Sequence, residues 1–311
     1  MPTRSIVERL SAGEMLLLDG ATGSELQARG VDINRGATSE ELGVWSATAN
    51  LDAPDVVRQI HEDYLEIGAD IVISNNFYTS QSMLALIGEE NRWEQYTQRG
   101  GELAVQARNA VNPEAYVAGG ISPPYTGDLR KEFEGQARVL ARAGVDFLLA
   151  EYMAGDTVLD TPIADCVTAV DVCATTGLPV FLGICGVKQD GTLYNGESFK
   201  DLAAALEGHA VAGIFLMCST PPAISACLPK LREAYDGPIG AYAHLDYGLN
   251  PKFGTTPDEQ YFSIGDGEFT PERYAEVARQ WKEMGAQIIG GCCATRPEHI
   301  KALRPIVAGK A

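Results

Sequence analysis

AQIIGGCCATRPEHI, residues 286–300, is an apolar run of strand type that stops at two glycines, passes through two adjacent cysteines and reaches a proline that opens a helix. A strand, a tight corner and a helix make the repeating unit of parallel α/β folds. Working outward, the same unit recurs. Short apolar runs ending in small or polar residues occur at 15–19, 70–76, 116–122, 145–152, 179–185, 211–218, 238–244 and 286–293. Helical patterns lie between them. Val56, Val57, Ile60, Tyr64 and Ile67 recur at three-to-four spacing within 53–69, and 133–144, 271–286 and 297–307 read similarly. Helices ending in Ala143-Gly144 and Met284-Gly285 use the residue that tolerates a left-handed cap.

Continuous apolar strands alternating with amphipathic helices indicate a parallel sheet covered by helices. Eight such units predict an α/β fold, a single (β/α)8 TIM barrel occupying residues 1–311 as one domain. No linker or short repeat interrupts it, and the long connections are 20–52 and 245–270. Chemistry in such barrels gathers at the C-terminal strand ends. The polar residues there are Asp19, Asn75, Asn76, Ser122, Glu151, Tyr152, Cys185, Cys218, His244, Cys292 and Cys293.

Composition narrows the function. Acidic residues outnumber basic ones 42 to 24, a net charge of -18, which disfavours nucleic acid and anionic membrane surfaces as partners. No apolar run reaches the roughly 18–20 residues of a membrane span. The N-terminal stretch carries charges throughout and lacks a secretory pattern, so a cytoplasmic setting is expected. There the seven cysteines are thiols, and a cluster among them is better read as metal-binding or catalytic than as a disulfide.

Cys218 ends the sixth run and Cys292–Cys293 the eighth, so the barrel rim can bring three thiolates onto one ion. Soft thiolates suit Zn2+, and three protein ligands leave a fourth position for substrate, as in catalytic sites. Cys166, Cys173 and Cys227 fall within helical stretches and read as packing residues. Cys185, at a strand end, reads as packing or as a supporting or reactive thiol. His61, His209 and His299 fall in helical segments and read as structural. The GATGSE stretch at 20–25 is not a dinucleotide fingerprint.

Together GGCC with PEHI, LLLDGATGSELQARG (16–30), DAPDVVRQIHEDYLEIGADIVISNNFY (52–78) and MCSTPP (217–222) resemble the homocysteine S-methyltransferase family of zinc-dependent barrels. The resemblance implies Cys218, Cys292 and Cys293 as zinc ligands. It places Asp19, Gly20 and Glu151 at the homocysteine subsite, with the two carboxylates holding the amino group. FLLAEY (147–152) and NNFYTS (75–80) are most similar to betaine-using members. In those, the tyrosine at the place of Tyr152 closes the metal site when no thiol is bound, and Phe77 and Tyr78 match an aromatic pair near the methyl donor. VWSA (44–47) is similar to that branch and to the S-methylmethionine branch. Departures are Met217 where Asn is common, Tyr242-Ala243-His244 in place of a Tyr-Pro-Asn motif, and Ala294 where Gly is usual.

The implied reaction is methyl transfer from an onium donor to the thiol of homocysteine, giving methionine. A free thiol is mostly protonated at neutral pH, and zinc coordination removes that proton. A cationic donor loses its charge on transfer, so the leaving group needs no acid. Aromatic faces attract such cations, and Trp45, Phe77, Tyr78, Tyr125, Tyr152 and Tyr247 lie in or beside the predicted rim. His244 is a candidate for a donor carboxylate, or bonds to backbone. Asp19 and Glu151 are expected across the barrel from the cysteines. Glycine betaine, dimethylsulfoniopropionate, S-methylmethionine and S-adenosylmethionine all fit this chemistry, and self-association is left open. A zinc hydrolase is disfavoured, because the chain has four histidines and no His-x-His pair. A non-catalytic or re-purposed barrel binding zinc or another thiol is the alternative reading.

Overall fold

The computed structural model describes residues 2–38, 43–125, 127–155, 162–245 and 269–309, and the backbone alone of 247–249 and 262–264. The strands are β1 (Leu16–Leu17), β2 (Ile71–Ile73), β3 (Tyr116–Ile121), β4 (Phe147–Met153), β5 (Val180–Ile184), β6 (Val211–Met217), β7 (Ile239–Ala243), β8 (Tyr247–Leu249), β9 (Phe262–Ile264) and β10 (Ala286–Gly291). Eight form one parallel sheet in the order β1-β10-β7-β6-β5-β4-β3-β2. A parallel bridge between Leu18 and Ile71 joins its two ends. The product is the (β/α)8 barrel expected from the sequence, with a strand in each of the eight apolar runs. The antiparallel pair β8–β9 lies in the 245–270 connection and was not foreseen. Among the described residues no helix is long and apolar enough to cross a membrane.

Alternation along each strand divides the core into two layers. One row faces the helices, for example Leu148 and Ala150 of β4 and Ile214 and Leu216 of β6. The other row fills the barrel, with Leu16, Leu18, Phe147, Leu149, Phe181, Phe215, Tyr242 and Ile288. Phe147, Phe181, Phe215 and Tyr242 form a chain of rings with centroids 5.0, 5.2 and 6.5 Å apart. This belt is the floor beneath the strand ends. The short helix Ile6–Ser11 plugs the opposite end with Ile6 and Leu10.

The two glycines of the opening stretch are explained by close approach. A Cβ on Gly290 would lie 2.6 Å from the Leu18 side chain, and one on Gly291 2.3 Å from the Thr295 hydroxyl. Only bare backbone lets β10 lie this close to β1 and then turn into the helix Pro297–Val307. His61 is fully buried and burial pushes it down to about 4, so it is a neutral packing residue, as expected.

Candidate active site

The barrel brings the three cysteines together. Cys218 Sγ lies 3.8 Å from Cys293 Sγ, and Cys292 Sγ 3.9 Å from Cys293 Sγ. All three sulfurs fall within 4.8 Å of one another. Thiolates about 2.3 Å from a tetrahedral zinc would stand roughly 3.8 Å apart, so the spacing fits such an ion. Cys218 is held well above the ordinary thiol range, first by the sulfurs of Cys185, Cys292 and Cys293 and then by burial. Three thiolates at this spacing need a cation to offset their charge.

Backbone geometry, not simple alternation, turns these side chains inward. Glu151 continues the inward row of Phe147 and Leu149, and Met217 that of Phe215; their successors should face the helices. Tyr152 and Cys218 nevertheless pack on the interior cluster. Both occupy the left-handed region, with φ of 58° and 40°, which β-branched and most other residues avoid. A bulge between Ala150 and Met153 shifts the register of β4 at the same point. Residues strained in this way concentrate where a site fixes them. At the corner after β10, Cys292 N–H donates to Ala243 O (2.9 Å), Leu245 N–H to Cys293 O (2.9 Å) and Thr295 Oγ1 to Cys292 O (2.6 Å).

Ala294 follows the paired cysteines with φ of 63°, and its N–H donates to Ser24 Oγ at 3.0 Å. An L-residue there costs about 1 kcal/mol relative to glycine. Ala294→Gly is therefore expected to raise the thermal midpoint by about 2 °C in a calorimetric scan. A lowered midpoint would mean that packing of the methyl group outweighs the backbone strain.

One cavity of about 350 Å³ joins the cysteines to the other candidates, including Gly20, Trp45, Phe77, Glu151, Tyr152 and His244. Glu151 is buried and accepts the Tyr242 hydroxyl at 3.0 Å. Burial pushes its carboxyl up to about 7. Asp19 is buried too; one oxygen accepts Ile73 N–H at 2.9 Å and the other has no hydrogen-bond partner among the described residues. Burial, with a contribution from the Glu151 charge, holds Asp19 well above the carboxylate range. Two buried carboxyls without a basic partner among the described residues suit a cationic ligand.

Asp19 is not across the barrel from the cysteines. It follows β1, which pairs directly with β10, and its carbonyl accepts Gly291 N–H at 2.9 Å. The barrel closes there, and that closure makes the first and last units neighbours. Tyr78 also departs from expectation: it is buried behind Phe77, ring centroids 4.2 Å apart, and is not part of the cavity wall. Tyr125 packs on Tyr78 at 5.0 Å, again behind the wall. Phe77 faces the cavity and meets Tyr152 edge-on at 5.6 Å. The side chain of Tyr247 lies outside the described residues.

The sequence reading gave several residues of the site no role. Tyr242 and Met217 line the cavity from the ends of β7 and β6, and the half-exposed Tyr194 forms part of its rim. Ser46, Asn50 and Asn75 make a buried network that ties the Trp45 segment to the end of β2: Ser46 Oγ donates to Asn75 Oδ1 (2.6 Å) and Asn75 Nδ2 to Asn50 Oδ1 (2.9 Å). Small polar residues in the long 20–52 connection were the available signal.

Comparison with known proteins identifies the family. A family model described as Homocysteine S-methyltransferase matches residues 16–307. Betaine–homocysteine S-methyltransferase 1 of Pongo abelii is 30% identical over 322 residues, covering 96% of this chain and 74% of that protein. S-methylmethionine–homocysteine S-methyltransferase BHMT2 of Pongo abelii is 29% identical over 320 residues, covering 96% and 80%. The metallated form of the homocysteine methyltransferase MmuM from Escherichia coli shares the fold, with a TM-score of 0.73 at 24% identity over 96% of this chain and 99% of that one. The chain is a methyltransferase and belongs to the homocysteine S-methyltransferase family.

Proposed function

We propose that this protein transfers a methyl group from a small onium donor to the thiol of homocysteine, with zinc held by Cys218, Cys292 and Cys293. The observation that carries the reading is the thiol cluster, with its 3.8 Å and 3.9 Å sulfur spacings, opening onto the same cavity as Glu151. When bound, zinc would keep the substrate sulfur deprotonated and nucleophilic. The protein supplies the rest. Glu151 and Asp19 hold the ammonium group, with Gly20 in the adjoining cavity wall. Trp45, Phe77 and Tyr152 offer ring faces to the donor cation, while His244 stands at the rim for a donor carboxylate. Alignment of sulfur, methyl and leaving group supplies much of the rate. The transferred methyl leaves its electron pair on the donor, which becomes neutral, so no acid is required.

A cavity of about 350 Å³ suits two amino-acid-sized molecules better than one of them with a nucleoside-bearing donor. Betaine and S-methylmethionine, which two relatives are named for, are therefore the favoured donors, with dimethylsulfoniopropionate chemically equivalent. Function as one barrel domain in a reducing, cytoplasmic setting fits free thiols. The test is methionine formation from homocysteine with betaine, dimethylsulfoniopropionate, S-methylmethionine and S-adenosylmethionine in parallel. Turnover with one of the first three supports the reading. Turnover with S-adenosylmethionine alone overturns the donor assignment, and bound metal with no turnover on any donor favours a thiol-binding role instead.

A further inference from the structure

Met217 stands where the family commonly has Asn, and its sulfur lies between three strands. The bulge in β4 takes the Tyr152 N–H off the regular ladder to β5. That N–H donates instead to Met217 Sδ, at 3.0 Å across the barrel interior. The Tyr242 hydroxyl, 3.0 Å from Glu151 Oε1, is also 3.3 Å from Met217 Sδ. Met217 is itself only 3% exposed. The space is reserved from below by Gly183 of β5, where a Cβ would lie 2.8 Å from the Tyr242 hydroxyl and 2.9 Å from Met217 Sδ. A thioether is a weak but polarisable acceptor. Here it meets a buried peptide N–H that would be costly to leave unpaired.

We infer that Met217 is a positioning residue of the homocysteine subsite. Through the Tyr152 N–H it fixes the bulged end of β4, and through Tyr242 it fixes the direction of the Glu151 carboxylate. It thereby sets the Glu151 wall that meets the substrate amino acid and steadies the Tyr152 wall shared with the donor, without being a metal ligand. The inference rests on the proposed homocysteine site and assigns the departure from Asn a specific task.

Met217→Leu keeps the volume and removes the acceptor; Met217→Gln returns an acceptor on a side chain of similar length. With metal-loaded protein, Met217→Leu is expected to raise KM and the calorimetric Kd for homocysteine about tenfold, the scale of one lost hydrogen bond to a buried group. The donor KM should rise less, by about threefold, and kcat and metal content should stay within about twofold. Met217→Gln should recover most of the loss. Unchanged homocysteine affinity in Met217→Leu, or an equal loss for donor and homocysteine, overturns the inference. So does a Met217→Gln variant as impaired as Met217→Leu. If the metal-loaded wild type binds no homocysteine at all, the proposed function fails and this inference with it; tight wild-type binding left intact by Met217→Leu sinks the inference alone.

Discussion

Cys292→Ala is expected to leave the barrel folded, to abolish stoichiometric metal binding and to lower methionine formation by roughly a thousandfold or more. Cys292 is only half-buried, so the truncation removes little core. Two thiols remain, and a pair binds zinc far less well than three. The substrate thiol then falls back on its own ionisation, about 3% at pH 7 for a pKa near 8.5. It also loses the contact that aligns it with the donor. Metal content by atomic absorption, circular dichroism and initial rates on the same preparation decide the matter. A variant that keeps full turnover would remove the cysteines from the chemistry.

Glu151→Gln should raise KM for homocysteine roughly 100-fold, the scale of about 3 kcal/mol for removing one partner of a buried charge pair. Glutamine keeps the shape, and its amide oxygen can still accept the Tyr242 hydroxyl. What disappears is the charge facing the ammonium group. The substrate-free protein should be no less stable, because burial already pushes the Glu151 carboxyl up to about 7. 4-Mercaptobutanoate, which is homocysteine without its amino group, is the control. Its inhibition constant should barely change in Glu151→Gln. An equal loss of affinity for both thiols would show that Glu151 supports the cavity wall and does not read the ammonium group.

The barrel was legible because strands buried on both faces appear as unbroken apolar runs, and most of the eight end in a residue that lines the cavity. The order of the runs also placed Cys218 and Cys292–Cys293 two strands apart, with β7 between them. What alternation cannot give is the facing of side chains where a strand breaks its period. A one-residue slip turns a side chain to the other face. At Tyr152 and Cys218 that slip is made by left-handed backbone, which nothing in their residue types announces. Tyr78 is also left-handed, at φ of 62°, and its ring packs on Phe77 without lining the cavity. Tyr242 and Met217 stood out as departures from the family pattern, but inside apolar runs a phenol and a thioether carry no sign of a part in the site. The neighbouring of Asp19 and the paired cysteines follows only once the barrel closes between β1 and β10.

The most direct measurement is zinc-edge X-ray absorption on the purified protein, with and without homocysteine. The account predicts one zinc per chain with about three sulfur neighbours near 2.3 Å, rising to four when homocysteine is added. Fewer than three protein sulfurs, or an unchanged spectrum with saturating homocysteine, would contradict it.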